Sequence, residues 1–258
     1  MEQAIIKNVG KWGNSAGILL PKEWLGNQVK IVLIDRTLEI KKEVLSILDP
    51  YLEDIIGIYL TGSYARGEQE EDSDIDVIAI SKSTKKEIIS GKYDISITTL
   101  EGIKKTLGSH PELVIPRLRE AKTILNPQLL EELNEHNITK NSFKNFVEDT
   151  KRMIKMDKEL IELDKLDGEE LESKPVIYSI ILRLRGIFLI KSALENKKYS
   201  KSIFKIWVLE TLNEKEFKDA YAIYKSIKNK KESKIKMKLE TAKKLQEFLI
   251  KELKYFKK

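Results

Sequence analysis

The chain has 258 residues, 41% hydrophobic and 34% charged, with 47 Lys+Arg against 41 Asp+Glu and a net charge of +6. That is a globular composition able to bury a core, and no apolar stretch nears the roughly 20 residues of a bilayer span. Zero cysteines and two histidines, His110 and His136, exclude disulfides, thiolate zinc sites, cysteine nucleophiles and multi-histidine metal centres. Any metal must then be held by oxygen, which suits Mg²⁺ or Mn²⁺. The N-terminus MEQAIIKNVGKWGNS has no charged-then-apolar leader, so a cytoplasmic location is expected. Heavy use of Lys, Glu and Ile without Cys has a thermophile-like character.

Residues 1–42 read as short β-rich runs, Ile5–Val9, Ala16–Leu20, Val29–Ile34 and Thr37–Ile40, punctuated by Gly10, Gly13-Asn14 and Asp35-Arg36. Pro21 opens a short helix at Lys22–Leu25. A piece this small cannot bury a core alone, so it is expected to dimerise. Residues 43–126 read as a helix (Glu43–Leu48), the strand Ile55–Leu60, a Gly62-Ser63 turn with a short helix, and the strand Ile75–Ile80. A polar connection, SKSTKKEIISGK, leads to the strand Tyr93–Thr98. Thr98 and Glu101 have capping-box spacing for a helix reaching about Leu107. Pro111, Pro116 and Pro127 bracket a further helix and the strand Ala121–Leu125. Residues 127–258 are helical: VIYSIILRLRGIFLIKSAL is apolar nearly all round and reads as the central helix of an up-and-down bundle, followed by helices over 201–212, 214–228 and 232–256. The fold class is therefore α+β: a small β segment, an αβ core with a mixed sheet, and an all-α bundle.

The chemistry concentrates in TGSYARGEQEEDSDIDVIAI, residues 61–80. Asp74 and Asp76 are two apart at the entry to a strand, so both side chains share one face, about 6–7 Å apart. Two carboxylates so placed repel unless cations lie between them. A pair of divalent ions suits that spacing and would clamp a triphosphate. Gly62 lets backbone approach a phosphate closely, Ser63 offers a hydroxyl, and the following helix opens with free N–H groups. Ser73 shapes the turn before the acids and is placed to touch phosphate.

An apolar strand, Gly-Ser, ten intervening residues, Asp-x-Asp and a second apolar strand resemble the signature of the DNA polymerase β-type nucleotidyltransferase superfamily, in particular its minimal branch. The resemblance implies metal-dependent transfer of a nucleoside monophosphate from an NTP, ATP foremost, to a hydroxyl on protein, RNA or a small molecule. It assigns Asp74, Asp76 and Asp94 to the metals, with Asp94 taking the acceptor's proton, and Gly62, Ser63, Arg66 and Ser73 to the nucleotide. Glu71 and Asp72 compete with Asp94 but lie in the loop. KWGNSAGILLPKEWL similarly resembles the SpoVT/AbrB swapped-hairpin family, which implies a homodimeric barrel and, through Lys7 and Lys11, a possible DNA contact. Minimal nucleotidyltransferases act in toxin–antitoxin pairs, which such a segment would suit. The alternative is a dimeric DNA-binding regulator or antitoxin that keeps the transferase core as a scaffold.

Other features have blander readings. Arg183 and Arg185, inside the most apolar helix, are expected to pair with acids of the bundle, and Tyr178 to pack in the core. The Lys-rich stretch 225–258 reads as an RNA grip or as a solvated helix face. No His follows either arginine, which argues against the ribonuclease chemistry of the helical modules paired with minimal nucleotidyltransferases. No membrane partner is expected.

Overall fold

The run IDVIAIS becomes the middle strand of a five-stranded sheet, and its apolar stretch Val77–Ile80, buried throughout, is what a strand covered on both faces requires. In the computed structural model, which describes residues 5, 7, 9–31, 37–71, 73–197 and 199–257, the chain forms two compact units, Met1–Ile40 and Lys41–Lys258.

In the first unit, β1 (Gly10–Trp12) and β2 (Ser15–Gly17) form an antiparallel hairpin with Trp12 opposite Ser15. Gly13, at φ 54°, supplies the left-handed backbone that so short a turn demands. A 3₁₀ turn follows at Lys22–Trp24. No described side chain of residues 5–31 is buried. Trp12, Leu19 and Leu25 are 58%, 70% and 77% exposed. Of the expected strands, Ile5–Val9 and Val29–Ile34 fall partly outside the described residues, at 6, 8 and 32–34, and their described parts are irregular. The turn at Asp35-Arg36 also lies outside. Thr37–Ile40 is not a strand: it is the first turn of α1 (Thr37–Leu48), because its apolar positions continue at helical spacing through Val44 and Leu48.

In the second unit, the sheet comprises β3 (Ile55–Leu60), β4 (Ile75–Ser81), β5 (Lys86–Ser90), β6 (Tyr93–Thr99) and β7 (Lys122–Leu125), in the order β5-β6-β4-β3-β7. Only β4 and β6 run parallel; every other pairing is antiparallel. β5 arises within the stretch read as a polar connection. It is an edge strand with Ile89 83% exposed, so its pattern carries no buried face to betray it. Between the strands lie α2 (Gly62–Arg66), α3 (Leu100–Ser109) and α4 (Ile115–Glu120), with α5 (Pro127–Asn134) after β7. The cap of α3 is Thr99, the last residue of β6, whose hydroxyl accepts from Gly102 N–H at 3.0 Å; Thr98, expected in that role, lies one residue earlier. Tyr59, Ile78, Ile80, Ile103, Ile115 and Leu118 close the core over one face of the sheet.

The helical part contains α6 (Lys144–Asp167), α7 (Pro175–Leu194), α8 (Lys201–Val208), α9 (Glu214–Lys228) and α10 (Leu239–Leu253). As its sequence requires, α7 is central: Val176, Ile177, Ile180, Ile181, Leu184, Ile187 and Ile190 are all fully buried. Arg183 pairs with Asp149 at 3.0 Å, as expected for a cation in an apolar helix. Arg185 differs. Among the described residues it meets no carboxylate; it donates to the Tyr224 hydroxyl and lies over that ring. Tyr178 stacks on Tyr224, a packing role. No described helix is long and apolar enough to cross a membrane.

Candidate active site

The parallel pairing of β4 with β6 sets the site. Its register puts Asp76 opposite Asp94 and Ile75 opposite Tyr93, so two acids 18 positions apart in sequence share one level and one face of the sheet. Asp74 sits one residue before β4, exposed, while Asp76 is half-buried. Burial pushes the Asp76 carboxyl above the usual range; Arg117 and Lys228 draw it back, and Asp94 and then Asp74 push it further. Asp94 and Asp74 therefore both act electrostatically on Asp76. Among the described residues the three acids do not close into a ready-made metal cluster.

The Gly62-Ser63 turn lies directly against this face. Gly62 has φ 70°, and a Cβ built there would overlap the Asp76 carboxylate oxygen and stand 2.9 Å from Asp76 Cγ. The absent side chain is what admits the carboxylate, and Thr61 N–H donates to Asp76 O at 2.8 Å, which locks turn to strand. Hard oxygen donors on one face beside a side-chain-free turn fit an oxygen-bound divalent ion.

Ser63 is the second residue of α2 and partly exposed. The Ser73 hydroxyl accepts from Glu70 N–H at 2.7 Å, shaping the loop that precedes Asp74. Arg66 is held by two carboxylates and an aromatic ring. Its Nη1 donates to Glu120 Oε2 at 2.6 Å, its Nε to Glu68 Oε2 at 2.9 Å, and its guanidinium lies 5.1 Å from the Tyr199 ring centroid. Glu71 lies exposed in the loop, and Asp72 falls outside the described residues.

Three residues of this site carried no signal in the sequence. Glu120, at the end of α4, accepts the Gly62 N–H at 2.9 Å through Oε1. Arg117, one turn earlier, acts on both Asp76 and Glu120, and makes no ion pair among the described residues. Lys228 is the last residue of α9, within the Lys-rich stretch, and its charge also reaches Asp76. All three are ordinary surface-type residues by pattern, and only the fold brings them to the acids. His110 pairs with Glu112 at 3.0 Å and takes no part.

A family described as nucleotidyltransferase domain matches residues 39–200, and one described as "Putative transposon-encoded protein" matches residues 1–37. A relative named "Putative protein adenylyltransferase", from Methanocaldococcus jannaschii, is 35% identical over 127 residues, covering 45% of this chain and 86% of that protein. Among solved structures, a spectinomycin adenyltransferase from Enterococcus faecialis, crystallised with ATP and spectinomycin, is 16% identical, with 84% of this chain and 99% of that one covered and a TM-score of 0.47. A nucleotidyltransferase-like protein from Exiguobacterium sibiricum is 11% identical, with 84% and 75% covered and a TM-score of 0.37. The first match takes in the whole five-stranded sheet, the glycine turn and all three acids, and on it this chain belongs to the nucleotidyltransferase domain family.

Proposed function

We propose that this chain is a metal-dependent nucleotidyltransferase that moves a nucleoside monophosphate, AMP foremost, from an NTP to a hydroxyl. The observation that carries the reading is the level pairing of Asp76 with Asp94 beside a turn whose missing side chain makes room for the Asp76 carboxylate. The name of the Methanocaldococcus jannaschii relative favours a protein hydroxyl as acceptor, ahead of an RNA end or a small molecule. The minimal branch's place in toxin–antitoxin pairs agrees with a protein acceptor.

In this reading Asp74, Asp76 and Asp94 hold Mg²⁺ or Mn²⁺, which when bound supplies Lewis-acid polarisation of the α-phosphate and neutralises departing charge. Ser63 donates its hydroxyl to the triphosphate, and Gly62 keeps the turn close enough for it to do so. Arg117 and Lys228 face the same place and attract the phosphates, offsetting three carboxylates that alone would repel them. Ser73 keeps the loop shaped so that Asp74 enters the site. The acceptor oxygen forms its bond to the α-phosphorus as the bond from that phosphorus to the pyrophosphate oxygen breaks. Asp94, the more exposed of the strand pair, receives the acceptor's proton.

The direct test incubates the full chain with α-labelled ATP, Mg²⁺ and host protein or RNA, and follows covalent label. Label should appear on an acceptor and vanish with chelator. If the chain with Mg²⁺ neither binds any NTP by calorimetry nor labels any acceptor, the reading fails.

Residues 1–42 are a homodimerisation segment in this proposal. With no described side chain of residues 5–31 buried and eight large apolar ones exposed there, from Ile5 to Ile31, the segment needs a partner surface to be stable.

A further inference from the structure

We propose that Glu120 is a positioning residue of the nucleotide turn: its two carboxylate oxygens hold the Gly62 N–H and the Arg66 guanidinium together, and so set the turn against Asp76. The inference rests on the nucleotidyltransferase reading and adds to it a residue outside the acid set and the Gly-Ser pair.

Its placement follows from the sheet. β7 pairs with β3 antiparallel, with Lys122 opposite Leu60 and Thr123 opposite Tyr59. Continued by two residues along each chain, the same register brings Glu120 opposite Gly62. The strand itself stops short, because the turn rotates Gly62 out of the ladder at φ 70°. Its N–H is thereby left without a backbone partner, and the Glu120 side chain supplies the acceptor at 2.9 Å. The second carboxylate oxygen takes Arg66 Nη1 at 2.6 Å. Charge-assisted bonds of this kind are shorter and stronger than neutral ones.

Burial raises the Glu120 acid above its usual range, and Arg66 and the Gly62 N–H counter that only in part. A carboxylate kept at such a cost needs a geometric reason. Arg66, for its part, already faces two carboxylates, Glu120 and Glu68, and stacks against Tyr199. It brings no net positive charge to a phosphate. Its effect on the nucleotide passes through Glu120. Glu68 extends the chain of contacts, accepting from Lys201 N–H at 3.2 Å, so the turn is tied to the start of α8 in the helical part.

The contrary reading makes Glu120 an internal anion that phosphate must displace. The two readings predict opposite signs. In the full chain, Glu120→Gln retains one acceptor but loses the charge and the second acceptor. It should weaken Mg-NTP binding and raise KM by roughly 10-fold, about the effect of one charge-assisted bond, with kcat within about threefold of wild type. Arg66→Gln should do the same, and the double variant should be no worse than either single one, because the two act as a unit. Glu120→Asp should recover part of the loss. Tighter NTP binding in Glu120→Gln, unchanged binding, or strictly additive effects would each overturn the proposal. Should Glu120→Gln not fold, Arg66→Lys replaces it with the same expected direction.

A readout without nucleotide separates this claim from the functional reading. Amide exchange at Gly62 should quicken at least about 10-fold in Glu120→Gln while neighbouring β3 amides hold. Unchanged Gly62 exchange sinks the positioning role even if the enzyme is active. Faster exchange in a chain that never binds NTP would leave the positioning standing and the function lost.

Discussion

Gly62 does two things that no other residue type can do at once. Its left-handed backbone turns the chain out of β3, and its lack of a Cβ leaves the space that the Asp76 carboxylate fills. Gly62→Ala should therefore abolish NTP binding and lower Tm by roughly 4–8 °C, the effect of about 2 kcal/mol in a domain of this size; calorimetry and thermal melts check both. Asp76→Asn should behave oppositely in stability. It removes a carboxylate that burial and two like charges disfavour, so Tm at neutral pH should rise while transfer falls at least ~10²-fold. A variant that lost activity through misfolding would melt lower, and that result would contradict the assignment. Arg117 and Lys228 show the limit of reading residues one at a time, since neither stands apart from the other 45 basic residues until the fold brings its charge within electrostatic reach of Asp76.

At the level of elements, α6 and α7 are joined by a buried polar contact rather than by apolar packing alone. Asp157 on α6 accepts the Ser179 hydroxyl on α7 at 2.8 Å, and burial raises its acid to about 6 despite that bond and the nearby Arg183. An unfolded chain ionises this group near its ordinary value of 3.8. The folded state binds the proton more tightly, so Asp157's stabilising contribution is complete below about pH 4 and is lost as pH climbs through about 6. Asp157→Asn should consequently melt higher than wild type at pH 7.5, by roughly 2–4 °C, the effect of about 1 kcal/mol. The gap should vanish near pH 4, and thermal melts at the two pH values decide it. The strand elements show what period and length can reveal. β3, β4 and β6 were legible because buried strands leave continuous or alternating apolar runs, whereas β5, an edge, leaves none. The start of α1 has a strand-like local pattern because Thr37–Ile40 is too short a window to tell a period of 2 from 3.6.

For the whole molecule, the two units pose different problems. Lys41–Lys258 buries its own core, while no described side chain of residues 5–31 is buried. Sedimentation of the full chain should show a dimer whose dissociation depends on concentration. Replacing Trp12 and Leu25 by Ser should give monomers without a change in the melting of the larger unit. A monomeric wild type at micromolar concentration would refute the dimerisation proposal. Composition, the turn glycine, the spacing of Gly62-Ser63 to Asp74 and Asp76, and the apolar α7 were all decided by local chemistry and periodicity, and so could be read along the chain. The pairing of Asp94 with Asp76, the grip of Glu120 on the turn, and the approach of Arg117 and Lys228 depend on strand order and register. Those are set by which apolar faces bury against which, a competition among distant segments that no local pattern records.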